Sequence, residues 1–287
     1  MIQYRISYQE LAEKIEAEKP GWMERAKTKT VDDSAVWSEV KVVYMRLQGG
    51  SKCAYCERKM EAEEFGKGEQ AVDHFRPKKR VQVWKAPQDL IDLGIPFTTP
   101  PKDNKGYPAL CYHLFNYAAA CNPCNSILKK DYFPIAGAYQ IESDAPETLH
   151  QEELPYLIYP VGDFDDNPED LIQFRGLLPS AVHTEGRKRY RALVTIEVFQ
   201  LDSREERANL FRDRALIITH LFTQLENKAN AYTEEGRRIA QERIESLTNP
   251  VIQHANCARS FRDLYYLDRA KATAYANEAW DYINGKS

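Results

Sequence analysis

The sequence predicts an α+β protein that is mostly helical, with a small core of strands and a helix around a four-cysteine zinc site and helices on both sides of that core. Two observations support this prediction. Apolar residues recur at three- and four-residue steps before residue 50 and after residue 185, as in helices with one buried face. Between residues 51 and 135, two Cys-x-x-Cys pairs, a basic stretch and a turn-rich segment replace that periodicity.

The composition excludes several classes of protein. The 287-residue chain is 43% hydrophobic and 29% charged, which is typical of globular proteins and not of disordered or fibrous ones. The N-terminus shows no basic start followed by an apolar segment, and apolar runs such as residues 215–218 are too short to cross a bilayer. We therefore expect a cytoplasmic protein without a membrane partner. Because the net charge is −4, contact with nucleic acid requires a local basic patch.

The first 50 residues form the predicted N-terminal helical segment. Residues 33–48 place apolar side chains on one helical face, Asp33 can cap the start, and Gly49 and Gly50 end the helix. A second helix is predicted over residues 7–18.

A loop-rich connector is predicted over residues 136–184, because much of this stretch is acidic and contains several prolines. The C-terminal helical region then covers residues 185–287. Residues 203–206 (SREE) match a capping box that opens a helix. Asn249-Pro250 closes the following helix, and a last one is predicted over residues 258–283.

The two Cys-x-x-Cys pairs predict a metal site. Cys53 and Cys56 form the first pair, and Cys121 and Cys124 form the second. Each pair offers two thiolates to one ion, so both together complete the tetrahedral shell of a structural Zn²⁺. A redox motif is the alternative for a single pair, but it needs a thioredoxin-like βαβ context, which this sequence lacks. A folded segment must lie between the pairs, since they are far apart in sequence.

Residues 72–80 (VDHFRPKKR) lie between the two pairs and contain an adjacent Asp73 and His74. In a metal-dependent nuclease, a carboxylate binds a hard divalent cation while an imidazole takes a proton from the attacking water. The alternative is a surface Asp-His pair beside a solvated basic run, and these residues alone do not exclude it.

Two asparagines complete the candidate site. Asn125 directly follows the second cysteine pair and is expected to begin a helix, where its amide oxygen could bind a cation or merely cap the helix. Lys129 lies four residues further on and would share a helical face with Asn125, within reach of a phosphate. Asn116 precedes the second cysteine pair.

In this order, the motifs Cys-x-x-Cys, Asp-His-x-x-Pro, Asn and Cys-x-x-Cys-Asn-x-x-x-Lys resemble the HNH endonuclease family over residues 51–135. The resemblance implies a ββα-metal core with the signature residues His74, Asn116 and Asn125. It implies that His74 is the general base, that Asp73 and Asn125 hold one Mg²⁺ or Mn²⁺, and that Asn116 braces the hairpin presenting His74. The long stretch between His74 and Asn116 predicts an insertion in that hairpin.

Two further segments, residues 157–168 and 192–201, resemble the HNH proteins of retron and Septu anti-phage systems. That resemblance implies a role in antiviral defence beside an ATPase partner subunit.

The sequence therefore predicts an HNH endonuclease, a phosphodiester hydrolase acting on nucleic acid, with DNA as the expected substrate. Its local basic surface is expected to come from six side chains. These are Arg76, Lys78, Lys79, Arg80, Lys129 and Lys130. The alternative function is a zinc-stabilised module that binds nucleic acid or protein without cutting. Such a module would keep the cysteines but would not need Asp73, His74 and Asn125 together.

Overall fold

Helices account for about half of the residues that the computed structural model describes, which are residues 1–33, 36–62, 64–66 and 68–286. The α-helices are α1 (Tyr8–Glu18), α2 (Trp22–Lys27), α3 (Lys41–Leu47), α4 (Gln88–Asp92), α5 (Pro146–Glu153), α6 (Pro168–Leu171), α7 (Gly186–Val198), α8 (Ala208–Ala229), α9 (Glu234–Leu247), α10 (Ala255–Leu267) and α11 (Arg269–Ile283). The prediction of a mostly helical α+β chain is confirmed in part, since helices cover about half of the described residues and the sheets are small. In the described part of the chain, no helix is both long and apolar enough to cross a membrane.

Within the described residues, four short strands form two separate antiparallel sheets. The strands are β1 (Gln70–His74), β2 (Tyr117–Cys121), β3 (Ile172–Arg175) and β4 (Leu178–Ala181). In the first sheet, Gln70 lies opposite Cys121 and His74 lies opposite Tyr117. The connection from β1 to β2 is a long insertion that contains α4 and two single-turn 3-10 helices, Pro108–Leu110 and Leu114–Asn116.

The helix predicted over residues 7–18 is present as α1. The Ser7 hydroxyl accepts a hydrogen bond from the backbone N–H of Glu10, and the Glu10 carboxylate accepts one from the N–H of Ser7. This reciprocal capping box satisfies two backbone donors that a helix start would otherwise leave unpaired. The buried face of α1 carries Leu11 and Ile15.

The helix predicted over residues 33–48 starts differently. Its first described part, Val36–Val40, is a 3-10 helix, and α3 follows it. The Asp33 carboxylate accepts hydrogen bonds from the backbone N–H and hydroxyl of Thr30. Ser34 and Ala35 lie outside the described residues. Helix α3 nevertheless buries Val43, as the apolar periodicity predicts.

Two boundaries in the C-terminal region correct the prediction. Residues 203–206 do not open a helix: the Ser203 hydroxyl donates to the Glu206 carboxylate, and α8 begins only at Ala208. The expected single helix over residues 258–283 is two helices, because the backbone leaves helical geometry at Asp268. The Asp268 carboxylate accepts a hydrogen bond from the N–H of Lys271 and so caps α11. Helix α9 ends at Leu247, just before Asn249-Pro250, as predicted.

Helix α3 and the β1–β2 hairpin are held together by buried polar contacts. The Gln48 side chain receives a hydrogen bond from the N–H of Ala119 and donates to the carbonyl of the same residue. The Tyr44 hydroxyl donates to the carbonyl of Leu114, 2.7 Å away. Because both side chains are fully buried, these bonds fix the hairpin rigidly against the N-terminal helices.

Candidate active site and four-cysteine cluster

Strand β1 ends at a cavity of about 480 Å³ that brings together the chemistry-bearing residues of the central segment. Asp73, His74 and Asn125 all contribute to its wall. Its other polar lining residues are Lys78, Lys79, Gln82, Ser126, Lys130 and Asp131. Neighbouring residues on a strand point to opposite faces. Asp73 and His74 both reach the cavity because it surrounds the end of the strand.

The His74 imidazole is held in one orientation. Its Nε2 lies 3.0 Å from the carbonyl oxygen of Cys111, which can only accept a hydrogen bond. A neutral ring therefore carries its proton on Nε2 and leaves Nδ1 with a lone pair. Burial and the nearby Lys78 ammonium lower the pKa of His74 well below its ordinary value. The ring is thus kept neutral, with an available acceptor nitrogen 3.5 Å from the Lys78 Nζ.

Asp73 is only 2% exposed, and both of its carboxylate oxygens have partners. The Lys129 ammonium donates to Oδ1 at 2.9 Å, and the Tyr55 hydroxyl donates to Oδ2. Each carboxylate oxygen has more than one lone pair, so these two bonds leave acceptor sites for a cation in the cavity. Asp73 is therefore compatible with an oxygen-coordinated divalent ion.

Lys129 is not placed as the sequence suggested. Its side chain is fully buried, and its ammonium also donates to the carbonyl of His74 at 2.8 Å. This burial contradicts the expected phosphate contact. The ammonium instead ties Asp73 and His74 to the helix that follows β2.

Asn125 does not begin that helix but is its third residue, and the segment Pro123–Lys129 is π-helical. The N–H of Lys130 donates to the carbonyl of Asn125 at 2.8 Å, which is an i→i+5 bond. The α-helical spacing assumed for Asn125 and Lys129 therefore does not apply here. The Asn125 amide is partly exposed and lies in the cavity wall. Among the described residues its hydrogen-bond contact is a long one, 3.4 Å to the Ser126 hydroxyl. Its oxygen is available as a neutral ligand.

Asn116 lies behind the cavity, not in its wall. Its side chain accepts from the N–H of Arg76 at 2.7 Å and donates to the carbonyl of the same residue at 3.1 Å. Its amide also donates to the carbonyl of Leu110. These three bonds fix the backbone of Arg76, two positions after His74, against Leu110 and Asn116. This is the geometry of a positioning residue.

Fewer than the six predicted side chains contribute to the basic surface. Arg76 is fully buried and pairs with the Glu153 carboxylate, 2.9 Å from its Nε, which contradicts a surface role. Lys78, Lys79 and Lys130 line the cavity. Arg80 is exposed and lies 3.6 Å from Asp131.

The four cysteines converge as predicted. Their sulfur atoms all lie within 4.8 Å of one another, and all four residues are buried. Cys56 Sγ and Cys121 Sγ are 3.8 Å apart. A tetrahedral ion with sulfur ligands at about 2.3 Å has ligand-to-ligand distances of roughly 3.8 Å, so the cluster can hold a metal ion of this kind.

Local structure explains this convergence. Cys121 is the last residue of β2. The first cysteine pair lies in a turn that is bonded to the same strand, because the N–H of Ala54 donates to the carbonyl of Ala119 at 2.9 Å. The Arg207 guanidinium donates to Cys124 Sγ at 3.5 Å and brings positive charge to the cluster.

The sequence alone did not reveal the groups that support the candidate site residues from behind. Tyr55, the Cys111 carbonyl and Arg207 each contact a candidate functional group. The position of Tyr55 inside the first cysteine pair was a usable signal. No local pattern marks Arg207, which lies 83 residues after its partner Cys124.

The chain is similar to a Septu protein PtuB from Bacillus mycoides (strain KBAB4), with 30% identity over 179 residues. The alignment covers 61% of this chain and 51% of that protein, so the chain spans about half the length of the relative it matches. No family model matches the chain, and no solved structure matches it significantly. Over most of its length, this chain is therefore related in sequence to a Septu protein.

Proposed function

We propose that this protein is a metal-dependent endonuclease of the HNH type, which hydrolyses phosphodiester bonds in nucleic acid. One observation carries the proposal: Asp73, His74 and Asn125 meet in a single cavity. A strand presents the first two residues and the helical turn after β2 presents the third. The placement of these residues on a strand and on the turn after β2 supports the proposal, because the family that the sequence resembles has a ββα-metal core.

His74 is the proposed general base. Nδ1 is the nitrogen that would take the proton, because the Cys111 carbonyl occupies Nε2, and its present contact is a long one of 3.5 Å to the Lys78 ammonium. In the reaction, His74 removes a proton from a water molecule as the water oxygen bonds to the phosphorus. The bond from phosphorus to the leaving sugar oxygen breaks, and that oxygen takes up a proton from solvent. The Lys78 ammonium, 3.5 Å from Nδ1, is placed to hold a phosphate oxygen of the substrate close to that water.

Asp73 and Asn125 are the proposed ligands of a divalent cation. A carboxylate and an amide oxygen are hard donors of the type that Mg²⁺ and Mn²⁺ prefer. When bound, such an ion would stabilise negative charge on the phosphate and the leaving oxygen. The hydrogen bonds from Lys129 and Tyr55 orient the Asp73 carboxylate for this role.

The four-cysteine cluster is proposed to hold a structural Zn²⁺. Four protein ligands leave no open coordination position for water, which separates this ion from the chemistry. The ion would join the turn of Cys53 and Cys56 to the end of β2 and to the following helix. It would thereby fix the position of Asn125, the residue after Cys124.

Substrate phosphates are proposed to contact the three lysines of the cavity wall. Lys78, Lys79 and Lys130 provide this local positive charge in a protein whose net charge is −4. Such contacts position a nucleic acid without reading its sequence. Supercoiled plasmid, in which negative supercoiling favours local unpairing of the duplex, is the first substrate to test.

The similarity to a Septu protein supports a role in anti-phage defence. By the same resemblance, we propose that an ATPase subunit is the partner. The C-terminal helices are the proposed docking region, because none of their residues lies in the wall of the candidate active site.

The decisive experiment is incubation of the purified protein with supercoiled plasmid and Mg²⁺ or Mn²⁺, with and without EDTA. We expect nicked or linear DNA with either cation and none with EDTA. Plasmid that is bound but not cut under all of these conditions would favour a zinc-stabilised binding module instead.

A further inference from the structure

A second cavity, of about 540 Å³, lies beside the candidate active site. Its wall contains the three rings of Tyr8, Tyr112 and His113, and its cationic lining residues are Lys27 and Lys29. Its volume lies within the range of roughly 300–1,000 Å³ typical of small-molecule sites. None of the residues assigned above to catalysis or to a metal lines this cavity.

Trp37 connects the two cavities. Its ring centroid lies 5.2 Å from that of His74 and 5.6 Å from that of Tyr112. The Lys78 ammonium also lies over the Trp37 ring, 4.6 Å from its centroid. A continuous row of aromatic and cationic groups therefore leads from the proposed base to the second cavity.

The rings of the second cavity are held in place before any ligand arrives. Tyr8 packs against His113 and Phe115, with centroid distances of 5.2 and 5.4 Å. His113 Nδ1 accepts a hydrogen bond from the N–H of Phe115 at 3.1 Å. Rings fixed in this way lose little freedom when a planar ligand stacks on them.

The charges at this cavity suit a nucleotide. Lys27 pairs with Glu24 at 3.1 Å and Lys29 pairs with Asp33 at 3.8 Å. The side chains of both pairs are at least one-third exposed. Because ion pairs at the surface are weak, a phosphate can replace the carboxylates as partner of the lysines. Asp144 in the wall offers an acceptor of the kind that binds the amino group of a base.

We propose that this second cavity binds an unpaired nucleobase of single-stranded nucleic acid, next to the phosphate that the first cavity holds. The proposal rests on the proposed nuclease function and narrows its substrate. A base in an intact duplex is stacked on both faces and cannot enter a recess lined by Tyr8, Tyr112 and His113. Aromatic stacking and flanking lysines, in contrast, are the features by which proteins bind single strands.

The test uses the full-length protein without added Mg²⁺ or Mn²⁺, and short oligodeoxynucleotides that carry 2-aminopurine at successive positions. We expect the single strand to bind at least tenfold more tightly than the matched duplex. We also expect 2-aminopurine fluorescence to be quenched at one position only. A matched oligoribonucleotide shows whether the site distinguishes RNA from DNA.

Substitutions localise the effect. Tyr112→Ala should abolish the quenching and weaken binding of the single strand about tenfold, whereas Tyr112→Phe should keep both. Lys27→Glu changes an exposed side chain and should weaken binding without affecting the fold. Tyr232→Ala removes a fully exposed ring outside both cavities and is the matched control.

Two outcomes separate this proposal from the nuclease proposal. Equal binding of duplex and single strand, unaffected by Tyr112→Ala, would overturn the base-binding cavity even if plasmid is cleaved. Position-specific quenching that depends on Tyr112 would support the cavity even if no cleavage occurs.

Discussion

At the scale of single residues, His74 depends on groups far from it in the sequence. Its tautomer is set by the carbonyl of Cys111, and its edge packs against the rings of Trp37 and Tyr117. These neighbours exclude water from one side of the imidazole and leave Nδ1 toward the cavity. A chemical role for His74 at the cavity can therefore be tested separately from its role in folding.

His74→Ala should reduce nuclease activity by about 10²–10⁴-fold, the range typical of general acid–base catalysis. The metal content should stay near that of the unchanged protein, because His74 is not part of the cysteine cluster. The affinity for uncut DNA should also stay near its original value, because Lys78 is the one proposed phosphate-binding lysine that His74 contacts among the described residues. Plasmid nicking is the measurement, and exposed His220→Ala is the control. Normal cleavage by His74→Ala would remove the central residue of the proposal.

Asn125→Ala should also lower activity, but for a different reason. The substitution removes a neutral oxygen ligand, so the defect should lie in the affinity for the divalent cation. Activity measured against Mg²⁺ or Mn²⁺ concentration should shift to higher concentration and recover in part. A loss that no cation concentration relieves would contradict the assignment of Asn125 as a ligand.

Asp165 belongs to a buried network that supports the fold away from the site. Its side chain is 2% exposed, and it contacts Arg191 at 2.5 Å and His150 at 2.9 Å. Burial alone would raise the pKa of Asp165, but the Arg191 guanidinium and the His150 hydrogen bond lower it below its ordinary value. The ionised form is therefore stabilised by folding.

The lowered pKa of Asp165 predicts a pH dependence of stability. The stabilisation should be complete above the ordinary Asp pKa of about 4 and should be lost as the pH falls below that value. Asp165→Asn should cost about 3–5 kcal/mol at neutral pH, because it leaves the buried Arg191 without its main partner. Urea unfolding measured from pH 7 to pH 3 tests this. Exposed Asp163→Asn is the control, and equal stability of both variants at pH 7 would contradict it.

At the scale of elements, the β1–β2 hairpin and the segment Pro123–Lys129 behave as one unit. The cysteine cluster joins the end of β2 to that segment, and Lys129 joins the segment back to β1. Loss of either connection should therefore disturb more than one element. The cluster is the stronger of the two, since a metal ion bound by four thiolates contributes directly to folding.

Cys121→Ser should release zinc and lower the melting temperature, because serine cannot supply the fourth thiolate. Zinc content by atomic absorption and thermal unfolding are the measurements. Cys257→Ser changes a buried cysteine outside the cluster and should keep the metal. A Cys121→Ser protein with full zinc content and an unchanged melting temperature would contradict the four-cysteine assignment.

Helix boundaries show where local patterns are insufficient. Residues 203–206 have the letters of a capping box, yet α8 begins at Ala208. The Arg207 side chain is directed instead to the Phe199 carbonyl and to Cys124. A tertiary contact with the four-cysteine cluster therefore outweighs the local preference for an earlier helix start.

At the scale of the whole molecule, the C-terminal helices present apolar side chains to solvent. Tyr266 is 58% exposed and Leu267 is 86% exposed at the end of α10, while Trp280 on α11 is 54% exposed. Exposed apolar groups of this size are typical of interaction surfaces when they lie together. We expect an ATPase subunit to bind in this region.

Affinity purification of the tagged protein from its native host, with identification of the proteins that co-purify, tests that expectation. We expect a stable complex, and Leu267→Glu should weaken it because it introduces a charge into an apolar contact. Tyr232→Glu, at an exposed position between α8 and α9, is the matched control. A protein that purifies alone and cleaves DNA without the ATPase would count against a partner-dependent enzyme.

The sequence by itself determined the parts of this protein that depend on local patterns. Apolar periodicity located most of the helices, and the paired spacing of Cys53, Cys56, Cys121 and Cys124 predicted their convergence on one metal site. Both patterns are readable because helix geometry and metal coordination impose fixed spacings on neighbouring residues. The Asp73-His74 pair was recognisable for the same reason.

The tertiary structure alone decided which charged residues face solvent and which are buried. Arg76 and Lys129 have the composition of phosphate contacts, but Glu153 and Asp73 draw them into the interior. These partners lie 77 and 56 residues away in sequence, so no local pattern could reveal them. A buried charge requires a partner, and the fold determines which partner lies within reach.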